Sequence, residues 1–144
     1  MTHSTTSTST IESGARTGSS ATGLLRAVQV TAVLSLLNLV CQYVTAGQLF
    51  PRGGPLAIHS VGAVVLHVVT GLLTVAAVLY GRAHAGPWWP AVLAAVVFVL
   101  SLVQAYYGEH TNLAIHVPGA LVLTIGIVWI TAWSFTRAVA RSRS

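Results

Sequence analysis

Leu56-Ala57-Ile58-His59-Ser60-Val61-Gly62-Ala63-Val64-Val65-Leu66 returns 57 residues later as Leu113-Ala114-Ile115-His116-Val117-Pro118-Gly119-Ala120-Leu121-Val122-Leu123, with eight of eleven positions identical. Each copy opens an apolar run without an acid or an arginine, reaching 80 from the first and 135 from the second, long enough to cross a bilayer. Self-similarity at this spacing points to a duplicated unit. The segments before the two copies echo each other as well, Leu39-Val40-Cys41-Gln42-Tyr43 beside Leu102-Val103-Gln104-Ala105-Tyr106. The duplicated unit is therefore a helical hairpin, and two hairpins make an all-α, four-helix transmembrane bundle.

Composition agrees. The chain has 144 residues, 54% hydrophobic and 6% charged, with a mean hydropathy of +0.77. A soluble domain carries roughly a quarter charged residues, and a disordered chain needs low hydrophobicity; both classes are excluded for most of the length. The apolar runs cover 24–46, 56–80, 88–108 and 113–135, each reaching ~30 Å at 1.5 Å per residue. Between them lie Phe50-Pro51-Arg52-Gly53-Gly54-Pro55, Gly81 through Pro87, and Gly108-Glu109-His110-Thr111-Asn112, all rich in turn formers. Pro90 falls in the first turn of the third run, where its missing N–H costs nothing.

Residues 1–22 contain 13 Ser or Thr and no apolar period, which predicts a flexible cytoplasmic tail rather than a signal peptide. Residues 23–136 form the membrane domain and 137–144 a short basic tail. Seven arginines, no lysine and two glutamates give +5. With the N-terminus inside, Arg16, Arg26, Arg82, Arg137, Arg141 and Arg143 collect on the cytoplasmic side and Arg52 stands alone outside. The positive-inside rule then places both termini in the cytoplasm, and the lysine-free, Ala-, Val- and Arg-rich composition resembles that of a bacterial protein, which makes the expected membrane a bacterial plasma membrane. Trp88, Trp89, Trp133 and Tyr80 mark the inner interface, and Tyr43, Tyr106 and Tyr107 the outer one. The terminal arginines read as attraction to anionic membrane lipid, with no nucleic-acid partner.

Both repeat histidines are the fourth residue of their copy, so His59 and His116 lie at one depth, a turn into the outer leaflet. Gly62 and Ala63, and Gly119 and Ala120, follow at i+3 and i+4 on the same helix face. That leaves a flat slot beside each imidazole, suited to a planar macrocycle. Two neutral imidazoles facing each other in an apolar bundle are suitable axial ligands for the iron of one haem b. Close packing of small residues is the competing explanation of the glycines, and it predicts a cofactor-free structural or accessory protein. A small transporter is a third possibility, disfavoured because the repeat has parallel topology. His67 has Thr124 as its counterpart, so no second matched pair exists; it serves a propionate, a proton, a ligand exchange or a neighbouring carbonyl. Gln42 and Gln104 can donate to propionates or a quinone, or join helices. Glu109 and His110 sit in the outer loop above the pair, while His84 and His3 carry no assignment. Cys41 is the single cysteine, with no C-x-x-C-H for covalent haem. Phosphate loops, H-E-x-x-H, paired carboxylates and nucleophile elbows are absent from the sequence.

Over residues 24–135 the pattern resembles one half of the heme A synthase family. The likeness rests on Gln104-Ala105-Tyr106-Tyr107-Gly108, a short outer loop, and a helix opening with a histidine. The resemblance implies four helices with haem held between histidines of the second and fourth, here His59 and His116. His59 in Ala57-Ile58-His59-Ser60 lacks the acidic and basic flanking residues of that family. The implication is thus haem binding for electron transfer, haem handling or redox sensing, with a quinone or a redox protein as partner, rather than haem synthesis.

Overall fold

A computed structural model describes the backbone of residues 7–49, 54, 56–84, 87–109 and 112–142, and side chains within 22–49, 54, 56–83, 87–108 and 112–140. Four helices follow in order: α1 (Ser7–Leu49), α2 (Leu56–His84), α3 (Trp89–Glu109) and α4 (Leu113–Ser142). The segments Thr22–Leu49, Leu56–Ala83, Trp89–Gly108 and Leu113–Ala140 are long and apolar enough to cross a membrane, where only a backbone bonded within itself is tolerated. The chain is a multi-pass helical membrane protein.

The helices outrun the apolar stretches that predict them. α1 begins at Ser7, so residues 7–22, expected as a flexible tail, are helical; residues 1–6 lie outside the described set. α4 likewise runs on through the expected basic tail to Ser142. Once a helix is nucleated by its apolar part, each further residue adds one hydrogen bond, and serine and threonine are only mildly unfavourable.

Each helix packs on two neighbours, α1 on α2 and α4, and α3 on α2 and α4, while the diagonal pairs keep their backbones apart. The end of α1, the start of α2, the end of α3 and the start of α4 share one end of the bundle, called distal here; the end of α2, the start of α3 and the outer reaches of α1 and α4 share the proximal end. α3 starts cleanly because Val92 N donates to Trp88 O at 3.1 Å, and Pro90 sits where no donor is required. The Asn112 carbonyl opens α4, accepting from Ile115 N at 3.2 Å and His116 N at 2.9 Å. Asn112 N in turn donates to Tyr107 O at 3.0 Å, tying the start of α4 to the end of α3.

The proximal half is a packed core of Leu25, Val28, Ala32, Leu73, Ala77 and Ile130 with their neighbours. Tyr80, Trp89 and Trp133 belong to this packing. Tyr80 is buried, and Trp133 meets the Tyr80 ring at 5.8 Å and the Trp89 ring at 5.5 Å between centroids. Those aromatics, expected as interface markers, interlock the proximal ends of α2, α3 and α4. A second layer at mid-bundle joins Leu39, Leu66, Val97, Leu123 and Ile127. Leu66 and Leu123 are the last residues of the two repeat copies. Distal to Leu39, Leu66, Ser101 and Leu123, Gln104 is the one buried side chain among the described residues. The repeat therefore lines the unpacked third of the bundle, and that is where the histidines are.

Candidate functional site

His59 and His116 meet across the α2–α4 diagonal, with ring centroids 6.4 Å apart and planes inclined at 67°. Both rings are half-buried. The Thr45 hydroxyl lies 3.1 Å from Gln42 O and 3.4 Å from Gln42 Oε1. A hydroxyl has a single hydrogen, so in the 2.9 Å contact between Thr45 Oγ1 and His59 Nδ1 the histidine donates when that hydrogen goes to Gln42 and accepts when it goes to the ring. His116 Nδ1 lies 2.9 Å from the Gln104 backbone carbonyl, which can only accept. A neutral His116 ring thus carries its hydrogen on Nδ1 and keeps a bare lone pair on Nε2.

Rings at this spacing and inclination make an ordinary edge-to-face contact, and two imidazoles reaching one metal at ~2 Å each would stand at a similar spacing. Among the described residues no three His, Cys, Asp or Glu side chains converge.

The glycines do not face empty slots. A Cβ on Gly62 would lie 2.8 Å from Gln42 Oε1, and one on Gly119 would lie 2.7 Å from Gln104 Cδ and collide with Nε2. Each glycine is covered by the glutamine of the preceding helix, which corrects the expected flat face. Ala63 and Ala120 share those faces and are half-buried. Gln104 is itself 8% exposed, and its Oε1 is buried with no hydrogen-bond partner.

These contacts also correct the register of the repeat. The sequence echo aligns Gln42 with Ala105, whereas the structure makes Gln42 and Gln104 equivalent, one residue out of step. A one-residue slip turns a helix face by about 100°; the echo pairs buried Leu39 with exposed Leu102, whereas the corrected offset pairs it with buried Ser101. The two carbonyls agree with the corrected register: Gln104 O bonds His116 Nδ1 directly, and Gln42 O stands beside the Thr45 hydroxyl that bonds His59. Thr45 and Gly108 are site residues that sequence reasoning missed. A Cβ on Gly108 would lie 2.8 Å from His116 Cε1 and 3.0 Å from Nδ1. Their signal was available, since Thr45 lies three residues after Gln42 and Gly108 four after Gln104, each one turn along the same face.

His67 stands apart from the pair. Its Nδ1 lies 3.0 Å from Ser101 Oγ, which donates to Phe98 O at 2.7 Å. Its counterpart Thr124 donates to Ala120 O at 2.8 Å and receives Tyr43 OH at 2.9 Å. The side chains of Glu109, His84 and Arg141 lie outside the described residues, as do His110, His3 and Arg143 entirely. Cys41 is free and exposed. An apolar groove of about 540 Å³ runs along the flank of α4 between Thr124 and Thr136, past Trp89, Trp129 and Trp133, proximal to the histidine pair. No protein-family model, curated protein or solved structure matches this chain.

Proposed function

We propose that this protein binds one haem b between His59 and His116, near the outer face of a bacterial plasma membrane with both termini cytoplasmic, and serves electron transfer, haem handling or redox sensing. The observation that supports it is the diagonal ring pair at 6.4 Å with both Nδ1 atoms hydrogen-bonded to protein oxygens. Metal-bound imidazoles characteristically donate their other nitrogen to a carbonyl or similar acceptor, which fixes tautomer and orientation. Iron held by two imidazoles leaves no axial position for substrate, so the chemistry supplied is one-electron exchange. His59 and His116 would ligate, Thr45 and the Gln104 carbonyl would orient them, and His67 would lie inward of the macrocycle. The Gln42 and Gln104 carboxamides would turn off Gly62 and Gly119 to admit it, and the loosely packed distal third supplies room for that. Membrane lipid surrounds the spans, and a quinone or a redox protein would exchange the electron.

Reduced-minus-oxidised absorption of the detergent-purified protein, produced with ample haem, tests this. A six-coordinate b-type spectrum is expected for the wild type, lost in His59→Ala and in His116→Ala. A colourless, monodisperse wild type rejects the haem; an unchanged spectrum in both variants rejects the ligands. Thr45→Val, which removes the hydroxyl behind His59, is expected to weaken haem affinity about tenfold, read by haem titration.

A second reading is favoured by one observation, the carboxamides already seated on Gly62 and Gly119. In it the repeat is a packing device and the protein a cofactor-free structural or accessory component. The colourless outcome selects it.

A further inference from the structure

We propose that the groove on the flank of α4 holds one acyl chain of an anionic phospholipid, with its phosphate on Arg137 at the proximal end. This does not rest on the haem reading.

The groove follows α4 from Thr124 to Thr136 and has a volume of about 540 Å³. The helix rises ~18 Å between those two residues, and one leaflet of a ~30 Å hydrocarbon core is ~15 Å deep. A groove of that length along a membrane-spanning helix takes one extended chain from the interface to the bilayer midplane.

Its walls are aromatic and its floor is small. Trp129 is 63% exposed, Ala132 is exposed beside it, and Trp133 closes the α3 side together with Trp89. Trp133 meets both Tyr80 and Trp89 edge-on, so that wall is already in place and needs no ordering when a chain docks. Tryptophan ordinarily marks the membrane–water interface, whereas Trp129 lies ~12 Å distal to Arg137 along the helix. An aromatic face set at that depth meets acyl chain, not headgroup.

Charge selects the headgroup. Among the described side chains none is acidic, and the described arginines, Arg26, Arg82 and Arg137, all lie toward the proximal end. Arg137 directly follows Thr136 and stands one turn past Trp133 on the same flank, and it is exposed. Its planar guanidinium fork matches the oxygens of a phosphate. A zwitterionic lipid offers the same phosphate but adds an ammonium, which the arginines repel. The competing occupant is a second copy of the chain. A symmetric pair would be isologous and would set two basic α4 ends side by side, an arrangement that like charge opposes.

The chain's tryptophans are Trp88, Trp89, Trp129 and Trp133. Three of them line the groove, so intrinsic fluorescence reads it directly. The full chain is reconstituted in phosphatidylcholine vesicles that carry a minor fraction of chain-brominated phosphatidylglycerol or of chain-brominated phosphatidylcholine. Brominated phosphatidylglycerol is expected to quench with about fivefold higher affinity, the weight of one arginine at an anionic surface. Arg137→Gln is expected to bring the two lipids level, while Arg82→Gln, on the diagonal helix α2, leaves the preference in place. Trp129→Phe is expected to remove most of the preferential quenching. Equal quenching by both lipids in the wild type overturns the proposal. So does a loss in Arg82→Gln as large as that in Arg137→Gln, which would mean diffuse surface charge. Tryptophans shielded from both lipids, with a dimer trapped by cross-linking in the same vesicles, overturn it in favour of the second copy. The first and last of these outcomes are read on the wild type, so a variant that fails to fold does not shield the proposal.

Discussion

Gly108→Val is expected to abolish six-coordinate haem binding although both histidines remain in place. Gly108 backs the His116 ring so closely that even a methyl would sit 2.8 Å from Cε1, 3.0 Å from Nδ1 and 3.5 Å from Nε2. The ring has little freedom to retreat. Its Nδ1 is held by Gln104 O at 2.9 Å, and its backbone is anchored where His116 N bonds Asn112 O at 2.9 Å. A branched side chain at 108 must break the Nδ1 bond or swing the imidazole out of line with His59. Either result would take His116 out of the position from which it could hold a haem together with His59. Helix formation is not the casualty, since glycine is the poorer helix residue of the two. Gly47→Val supplies the control: it lies in the last turn of α1, and nothing stands within 4 Å of its added Cβ. The checks are the reduced spectrum and size-exclusion profile of both variants. An unaltered spectrum in Gly108→Val would show that His116 is not a ligand.

That prediction turns on a residue the linear sequence did not single out, and the reason is physical. Apolar runs, turn chemistry and the repeated Leu-Ala-Ile-His announce four helices and the matched depth of His59 and His116, because period and span length are properties of the chain alone. Which side chain covers a glycine depends on the rotation of the neighbouring helix. The echo of Leu39-Val40 with Leu102-Val103 matches a buried Leu39 to an exposed Leu102, since residue type alone does not tell a core leucine from a lipid-facing one, and so misplaces Gln42 by one position against Gln104. Buried polar contacts decide the register: Thr45 with His59, and Gln104 with His116 and Gly119. The flat slots vanish for the same reason, since a long amide on the adjacent helix fills whatever a glycine leaves open. The helical extension back to Ser7 was invisible because composition reports the absence of a buried face, not the backbone state.

Gly126→Leu is expected to cost about 3 kcal/mol or more of bundle stability, at the upper end for overpacking a filled interior. A Cβ at 126 would lie 2.7 Å from Val97 Cγ2 and 3.7 Å from Leu93 Cδ1. Val97 is 1% exposed, and its neighbours Leu123 and Ile127 are fully buried. Valine in a helix has essentially one χ1 rotamer, so Val97 cannot turn aside; α3 and α4 must separate. In lipid there is no hydrophobic term to offset lost packing between helices, and close approach at small residues is what holds them. The separation would reach the site, because the same interface seats Gln104 on Gly119 and Gly108 on His116. Gly23→Leu offers the contrast: its added Cβ meets nothing within 4 Å, and exchanging glycine for leucine in an exposed helix is expected to be neutral or to stabilise by up to ~1 kcal/mol. Unfolding in mixed micelles of rising denaturing-detergent fraction reads both. Equal midpoints for Gly126→Leu and wild type would mean that α3 and α4 do not meet through Gly126 and Val97, and the shared α3–α4 support of the His116 side of the site would fall with that contact.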